Sequence, residues 1–402
     1  MVPTSTRDTA PARRPGIPLG RPFGVPLFLA PSWFLFAGVI VLIFGPIVET
    51  RIPGPTTDPA TAATAYAVAF GYAVLLLVSV LLHEIAHAVA ARAVGMRVAG
   101  IVLNVWGGHT SFREDVSSPG RSLLIAVVGP ITNGLIALLA YRVAAGASAG
   151  PNDPGTLGIG GLLLGALALS NLLLCIFNLL PGLPLDGGHA LEALVWKIRG
   201  DRLAGTVAAA WTGRVLAVAV LALAILLPWL RGGQPSFTSV IWAGLVGALL
   251  WQGASASLAW AGQARRVPHL SARTLQRPAI AVASGASVEE VVRSARAAID
   301  AGATRGGDGD LEVVLVTDAG VPVAVVDTAA LRRIPAERRG EVGIGAAARA
   351  LPPRAWVPED LAGEELLATL TARPGEHVVI GGGGRVVGLL HTGDVVAAVT
   401  RR

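Results

Sequence analysis

Residues 81–95 read LLHEIAHAVAARAVG. Leu, Ile, Val and Ala dominate this window, a composition that asks for burial, yet it carries His83, Glu84 and His87. On a helix, positions i and i+4 share a face one turn apart, so the two imidazoles stand side by side with the glutamate next to them. An ionisable group near the centre of a bilayer costs roughly 2.5–3.5 kcal/mol on insertion scales and is rarely idle. Such a cluster in an apolar run asks for a compensating ligand. The alternative is a polar cluster snorkelling to an interface, which Arg92 near the end of the stretch keeps open.

The rest of the chain makes lipid the relevant solvent. Of 402 residues, 53% are hydrophobic and 14% charged, against about 45–50% and about 25% in soluble domains. A spanning helix needs about 20 apolar residues, and stretches at about 26–48, 64–91, 121–144, 158–181, 205–230 and 238–262 qualify. The expected fold is a polytopic α-helical membrane protein of about six transmembrane helices, followed by a soluble α/β domain. Its expected parts are a disordered basic tail over 1–25, a membrane domain over 26–263 and a soluble domain over 264–402.

Charge placement orients the spans. With the tail and its Arg7, Arg13, Arg14 and Arg21 inside, the inner loops hold Arg92, Arg97, Arg113 and Arg121, then Lys197, Arg199 and Arg202, then Arg265 and Arg266. The outer loops hold Arg51, Arg142 and Arg231. That asymmetry satisfies the positive-inside rule and puts both termini in the cytoplasm. The tail has no apolar core with a cleavage site behind it, so it does not read as a signal peptide. The net charge of +6 is scattered and contains no Lys/Arg block, so no nucleic-acid partner is expected. Cys175, the one cysteine, excludes an intramolecular disulfide and reads as a small packing residue.

Between the second and third spans, GMRVAGIVLNVWGGHTSFRED (95–115) alternates apolar and small residues around Gly107 and Gly108 and reads as a short hairpin at the cytoplasmic face. Beyond residue 270, strand-like runs (LEVVLVTD, VPVAVVD, EHVVIGG, RVVGLL) alternate with amphipathic ones (SVEEVVRSARAAID, EELLATLTA), as if one unit were used twice.

H-E-x-x-H on a helix can hold one zinc ion between its imidazoles, with the glutamate as general base. A catalytic zinc needs a third protein ligand and an open position. The candidate is Asp186 in NLLPGLPLDGGHALE (178–192), where Pro181 and Pro184 break the helix and Gly187 and Gly188 permit a bend. Non-helical backbone at membrane depth survives only against protein or a wet cavity, so a polar chamber is expected there. The second and fourth spans run in the same direction, which brings both sets of polar residues to one depth. Asn171, on the fourth span, reads as a helix–helix hydrogen bond.

The pair HEIAH and NLLPGLPLDGG resembles the signature of site-2 proteases, intramembrane zinc metalloproteases. VVGPITNGL (127–135) is similar to that family's G-P-x-x-N element, and WGGHTSF resembles its Gly-Gly hairpin. The resemblance implies one zinc ion per chain on His83, His87 and Asp186, with Glu84 activating water. Asn178 and Asn133 become candidates for orienting the substrate, and Gly107 and Gly108 for a substrate-binding edge. It further implies a transmembrane protein substrate, such as an anti-sigma factor, cut within the lipid bilayer of the bacterial cytoplasmic membrane. His109 and His189 read as a turn or edge residue and an ordinary cytoplasmic-face residue.

The C-terminal region resembles a tandem pair of cystathionine-β-synthase-type (CBS) domains. VVGLLHTGDVV (386–396) carries the family's strand-to-helix element with Gly388 and Asp394 in place, but His391 stands at the hydroxyl position and Ala330 replaces the acid in the first half. The resemblance implies an adenine nucleotide with Asp394 on its ribose, or a homodimerisation module without one. Gly381–Gly384 reads as a hairpin turn. A CBS-gated metal transporter and a zinc-binding pseudoprotease scaffold remain open as alternatives.

Overall fold

The computed structural model describes residues 16–52, 58–105, 107–112, 116–147, 158–303 and 311–400. The tail over 1–15 and Arg113 lie outside the described residues. The chain divides into two units between Ala259 and Trp260.

The first unit contains α1 (Ser32–Glu49), α2 (Pro59–Ala93), α3 (Pro119–Ala147), α4 (Ile159–Asn178), a shorter α5 (Asp186–Arg199), α6 (Arg202–Leu230) and most of α7 (Phe237–Arg266), whose last seven residues belong to the second. All but α5 are long and apolar enough to cross a membrane, as expected. They leave Leu35, Leu42, Leu139 and Leu223 exposed, a distribution fit for lipid. At 1.5 Å per residue, α2 is about 50 Å long and outreaches a hydrocarbon core of about 30 Å.

Local signals set the ends of α2. The Asp58 side chain accepts from the Ala60 N–H, with Pro59 in the first turn, where its missing donor costs nothing. At the other end Gly95 adopts φ +88°. The Met96 N–H then reaches the Ala91 carbonyl and the Gly95 N–H that of Arg92, while Met96 packs on Ala90 and Ala91. This Schellman closure stops the helix about two turns beyond His87.

Two expectations about the first span are corrected. Residues 16–25, expected in a disordered tail, contain β1 (Ile17–Gly20), which pairs with β2 (Leu27–Leu29); the first helix therefore starts at Ser32 rather than near residue 26. The cause is non-local: β2 pairs in parallel with β3 (Val98–Asn104), whose Ile101 N–H donates to the Pro26 carbonyl. Arg92 further ties the segment down by donating to the Phe23 carbonyl. The expected hairpin is present as β3 and β4 (Gly107–Phe112), with Gly107 and Gly108 paired in β4 rather than at the turn expected there, completing a four-stranded sheet in the order β1-β2-β3-β4. Its buried face, with Leu27, Leu29, Ile101 and Leu103, packs on Trp33 and Ala37 of α1 and Ala73 and Ala88 of α2.

The break between α4 and α5 falls over residues 179–185, as the prolines require. Gly187 and Gly188 are not its bend; they lie in the first turn of α5, buried. A Cβ on Gly187 would stand 2.4 Å from the Leu179 and Leu180 carbonyl oxygens, and one on Gly188 2.3 Å from the Leu183 nitrogen. Their role is close approach of backbone to backbone. Asn171, as expected, links helices: its Nδ2 donates to Ser79 Oγ of α2 at 3.1 Å.

The second unit repeats one pattern. After a short α8 (Ala272–Leu275), the first copy runs β5 (Arg277–Ala283), α9 (Val288–Asp300), β6 (Glu312–Val316), β7 (Pro322–Val326) and α10 (Thr328–Arg332), then β8 (Ala348–Ala350). The second runs β9 (Trp356–Pro358), α11 (Gly363–Ala372), β10 (His377–Ile380), β11 (Val386–Leu390) and α12 (Thr392–Thr400). In both, the first strand pairs in parallel with the second and the second antiparallel with the third, giving one sheet ordered β8-β7-β6-β5-β11-β10-β9. The glycine run makes the β10–β11 turn, with Gly383 and Gly384 at φ +78° and +77°.

Candidate metal centre

His83 and His87 project from one face of α2, and Asp186 is the first residue of α5, just past the end of α4. Their ligand atoms converge. His83 Nε2 lies 3.0 Å from His87 Nε2 and 3.1 Å from Asp186 Oδ2, and His87 Nε2 lies 3.4 Å from the same oxygen. Around a tetrahedral ion with bonds of about 2.0–2.1 Å, ligand atoms stand about 3.3–3.4 Å apart, so the triangle fits zinc. The tautomer also fits. His87 Nδ1 is 2.7 Å from the Ile125 carbonyl, which accepts its proton and leaves the Nε2 lone pair facing Asp186. Asp186 Oδ2 is buried with no hydrogen-bond donor among the described residues. A buried acceptor against two imidazoles is costly unless a cation joins them.

Glu84 is buried beside this triangle. Its Oε2 accepts a 2.6 Å hydrogen bond from Thr110 Oγ1 of β4. A cavity of about 350 Å³ opens here, lined by Glu84, His87, Gly108, His109, Thr110, Asp186, His189 and Arg202 among others. That is room for on the order of ten waters, the wet chamber expected from the broken backbone.

Two glycines give the side chains their space. A Cβ at Gly129 of α3 would lie 2.3 Å from His87 Nε2 and 2.7 Å from His83 Nε2; one at Gly108 would lie 2.3 Å from Glu84 Cγ and 2.5 Å from its Oε1. Gly107, at φ +119°, starts β4.

Of the remaining candidates, neither Asn178, half-buried at the end of α4, nor Asn133, buried with its Oδ1 unpartnered among the described residues, lines the cavity. His189 lines it, because the first turn of α5 faces the chamber. Its Nδ1 is 3.3 Å from Oε2 of the buried Glu192, whose Oε1 accepts from Arg202 Nε and Thr206 Oγ1, each at 3.1 Å. Sequence reasoning missed Glu192 and Thr110. The available signal for Glu192 was an acid in register with Gly188, Gly187 and Ala193 on the buried stripe of α5.

In the second unit Asp394 is engaged by Arg277, with Nε to Oδ2 at 2.8 Å and a second nitrogen to Oδ1 at 3.1 Å. His391 stands between two carboxylates, Nε2 being 3.1 Å from Glu312 and Nδ1 3.3 Å from Glu376. The bond to Glu312 holds the imidazole pKa above its ordinary value against partial burial.

Fold and site thus define a multi-pass membrane protein in which two histidines and one aspartate form a cluster that could hold a metal ion, with a glutamate beside it. Residues 71–150 and 158–223 match the model of peptidase family M50. The chain is 35% identical over 238 residues to Rip3 of Mycobacterium tuberculosis (58% of this chain, 56% of that protein) and 34% over 213 residues to sll0528 of Synechocystis (52% and 53%), both bearing provisional zinc-metalloprotease names. It thus spans about half the length of these curated relatives. Among solved structures it resembles a site-2 protease from Methanocaldococcus jannaschii (28% identity, TM-score 0.41, 60% of this chain and 94% of that one). It also resembles the CBS domain of a bacterial CNNM/CorC family Mg2+ transporter (16%, TM-score 0.26, 39% and 94%). Over residues 71–150 and 158–223 the chain is thus similar to peptidase family M50, the family of the site-2 proteases.

Proposed function

We propose that this protein is a zinc endopeptidase that cuts a transmembrane segment of a membrane protein, in the manner of regulated proteolysis of an anti-sigma factor. The observation that carries the reading is the convergence of His83, His87 and Asp186, a hundred residues apart in sequence, beside Glu84 in one chamber within the helices. The charge asymmetry of the loops supports a bacterial cytoplasmic membrane protein with both termini inside and the site toward the inner ends of α2 and α4.

His83, His87 and Asp186 would hold the ion, which when bound acts as a Lewis acid on a carbonyl and acidifies water. Glu84 takes a proton from water and later hands it to the leaving amine. A helical substrate hides its scissile bond and must unwind first. β4 is one of the two edge strands of the sheet among the described residues, and it borders the cavity. An extended substrate segment adds to that edge through main-chain hydrogen bonds. Asn178 and Asn133 are retained as candidates for steering it. Regulation by the second unit, through dimerisation or through a nucleotide for which Arg277 would have to release Asp394, is the outer part of the same proposal.

The test is reconstitution in vesicles with a fluorogenic transmembrane substrate, comparing wild type with Glu84→Gln. The expected result is that both hold one zinc and only the wild type cleaves. Zinc retention without cleavage of any of a broad substrate panel by either protein refutes the reading, and metal flux across the vesicle in its place identifies a transporter.

A further inference from the structure

We propose that Thr110 is a positioning residue for Glu84, so that the hairpin strand offered to the substrate also sets which oxygen of the base is free. The inference rests on the proteolytic reading for its consequence, though not for its geometry.

Thr110 is buried, and its Oγ1 lies 2.6 Å from Glu84 Oε2 and 3.3 Å from the Glu84 backbone carbonyl. A hydroxyl has one proton, and a carboxylate at 2.6 Å is the closer and stronger acceptor, so the bond runs to Oε2. The other oxygen, Oε1, faces Gly108, where a Cβ would come within 2.5 Å. Residues 108 and 110 share one face of β4, because side chains alternate along a strand. They sit opposite Leu103 and Ile101, the buried face that packs on α2. One strand therefore grips the carboxylate twice, by a hydrogen bond to Oε2 and by a gap shaped for Oε1. Oε2 carries the Thr110 bond, and Oε1, with both its lone pairs open, is the better placed oxygen to receive a proton.

Without this grip Glu84 has three rotatable bonds on a helix surface beside a cavity, and only a fraction of its rotamers direct an oxygen at the reacting centre. Because β4 is an edge strand of its sheet among the described residues, docking a substrate strand on it stiffens the element that carries Thr110 and Gly108. Base and substrate are then aligned by the same strand.

The test compares Thr110→Val, which keeps the shape and removes the hydroxyl, with Thr110→Ser, which keeps the hydroxyl. Each full-length protein is reconstituted with the transmembrane substrate, its zinc content measured, and the Glu84 carboxylate stretch read by isotope-edited infrared spectroscopy, assigned by its loss in Glu84→Gln. The expected result is one zinc in every variant, kcat lowered about tenfold or more in Thr110→Val with KM within about twofold, and recovery to within about threefold in Thr110→Ser. The carboxylate band shifts in Thr110→Val and stays in place in Thr110→Ser. An unshifted band in Thr110→Val, unchanged kcat there, or a serine variant as impaired as the valine one overturns the proposal, as does loss of zinc from both. If the wild type cleaves nothing, the proteolytic reading falls while the infrared comparison still decides the hydrogen bond.

Discussion

Gly129→Ala is the sharpest perturbation of the metal centre, because it adds one methyl group and touches no ligand chemically. The new Cβ would stand 2.3 Å from His87 Nε2 and 2.7 Å from His83 Cε1 and Nε2. Non-bonded heavy atoms prefer about 3.5–4.0 Å, so something must move by about 1 Å or more. His87 cannot retreat freely: its Nδ1 is bonded to the Ile125 carbonyl at 2.7 Å and its ring meets His83 edge-on, centroids 4.7 Å apart. Nor can α3 back away at no cost, since Ile125 lies one turn before Gly129 on that helix and would take its carbonyl from His87. Either response opens a triangle whose edges are now 3.0–3.4 Å. Losing one supporting contact to a ligand typically costs 10–100-fold in metal affinity, and moving the ligand itself by about 1 Å puts this variant at about 100-fold or more, roughly 2.7 kcal/mol. The assay is competition for zinc against a chromophoric chelator in detergent, with thermal unfolding of the metal-free protein as a control; overpacking alone should lower stability by about 1–3 kcal/mol. Zinc affinity within about threefold of wild type would show that Gly129 does not confine the imidazoles and would refute the geometry.

Asp186→Asn replaces a charged ligand by a neutral one and should weaken zinc binding by about 100-fold or more in the same titration; unaltered affinity would remove Asp186 from the ligand set. Glu192→Ala removes the buried, 4%-exposed carboxylate that accepts from Arg202 Nε and Thr206 Oγ1 and should destabilise the membrane unit by about 1–3 kcal/mol, read by denaturant unfolding in detergent micelles. In the second unit, the raised pKa of His391 means that its contribution to stability is full below the unfolded-state value of about 6.5 and is lost as pH rises through the higher folded-state value. Hydrogen exchange from β10 and β11 of the full chain should therefore accelerate between pH 6.5 and the folded-state pKa, beyond the intrinsic exchange rate, and His391→Gln should flatten that difference.

The features legible in the sequence are those that depend on a few neighbouring residues. Length and apolarity marked the six spans, the i, i+4 spacing paired His83 with His87, and two prolines broke the chain before Asp186. The duplicated pattern of the second unit was readable because strand and helix periods are local. The glycines at 187 and 188 were misread as a bend because conformational freedom and lack of bulk give the same letter in a sequence; only the packing of α5 on residues 179–183 showed that bulk was the reason. Likewise β1 was invisible, since a short run between prolines becomes a strand only when β3 supplies the edge on which β2 and then β1 assemble.

The sequence by itself determined the candidate chemistry of this protein: the residue types proposed as ligands and base, and the apolar spans that make their burial meaningful. The tertiary structure alone decided how those groups are held, because Ile125 fixing the His87 tautomer, Gly129 making room for the imidazoles and Thr110 gripping Glu84 depend on which helix or strand passes at what height. Such heights are set by packing between segments distant in sequence, and no local pattern carries them.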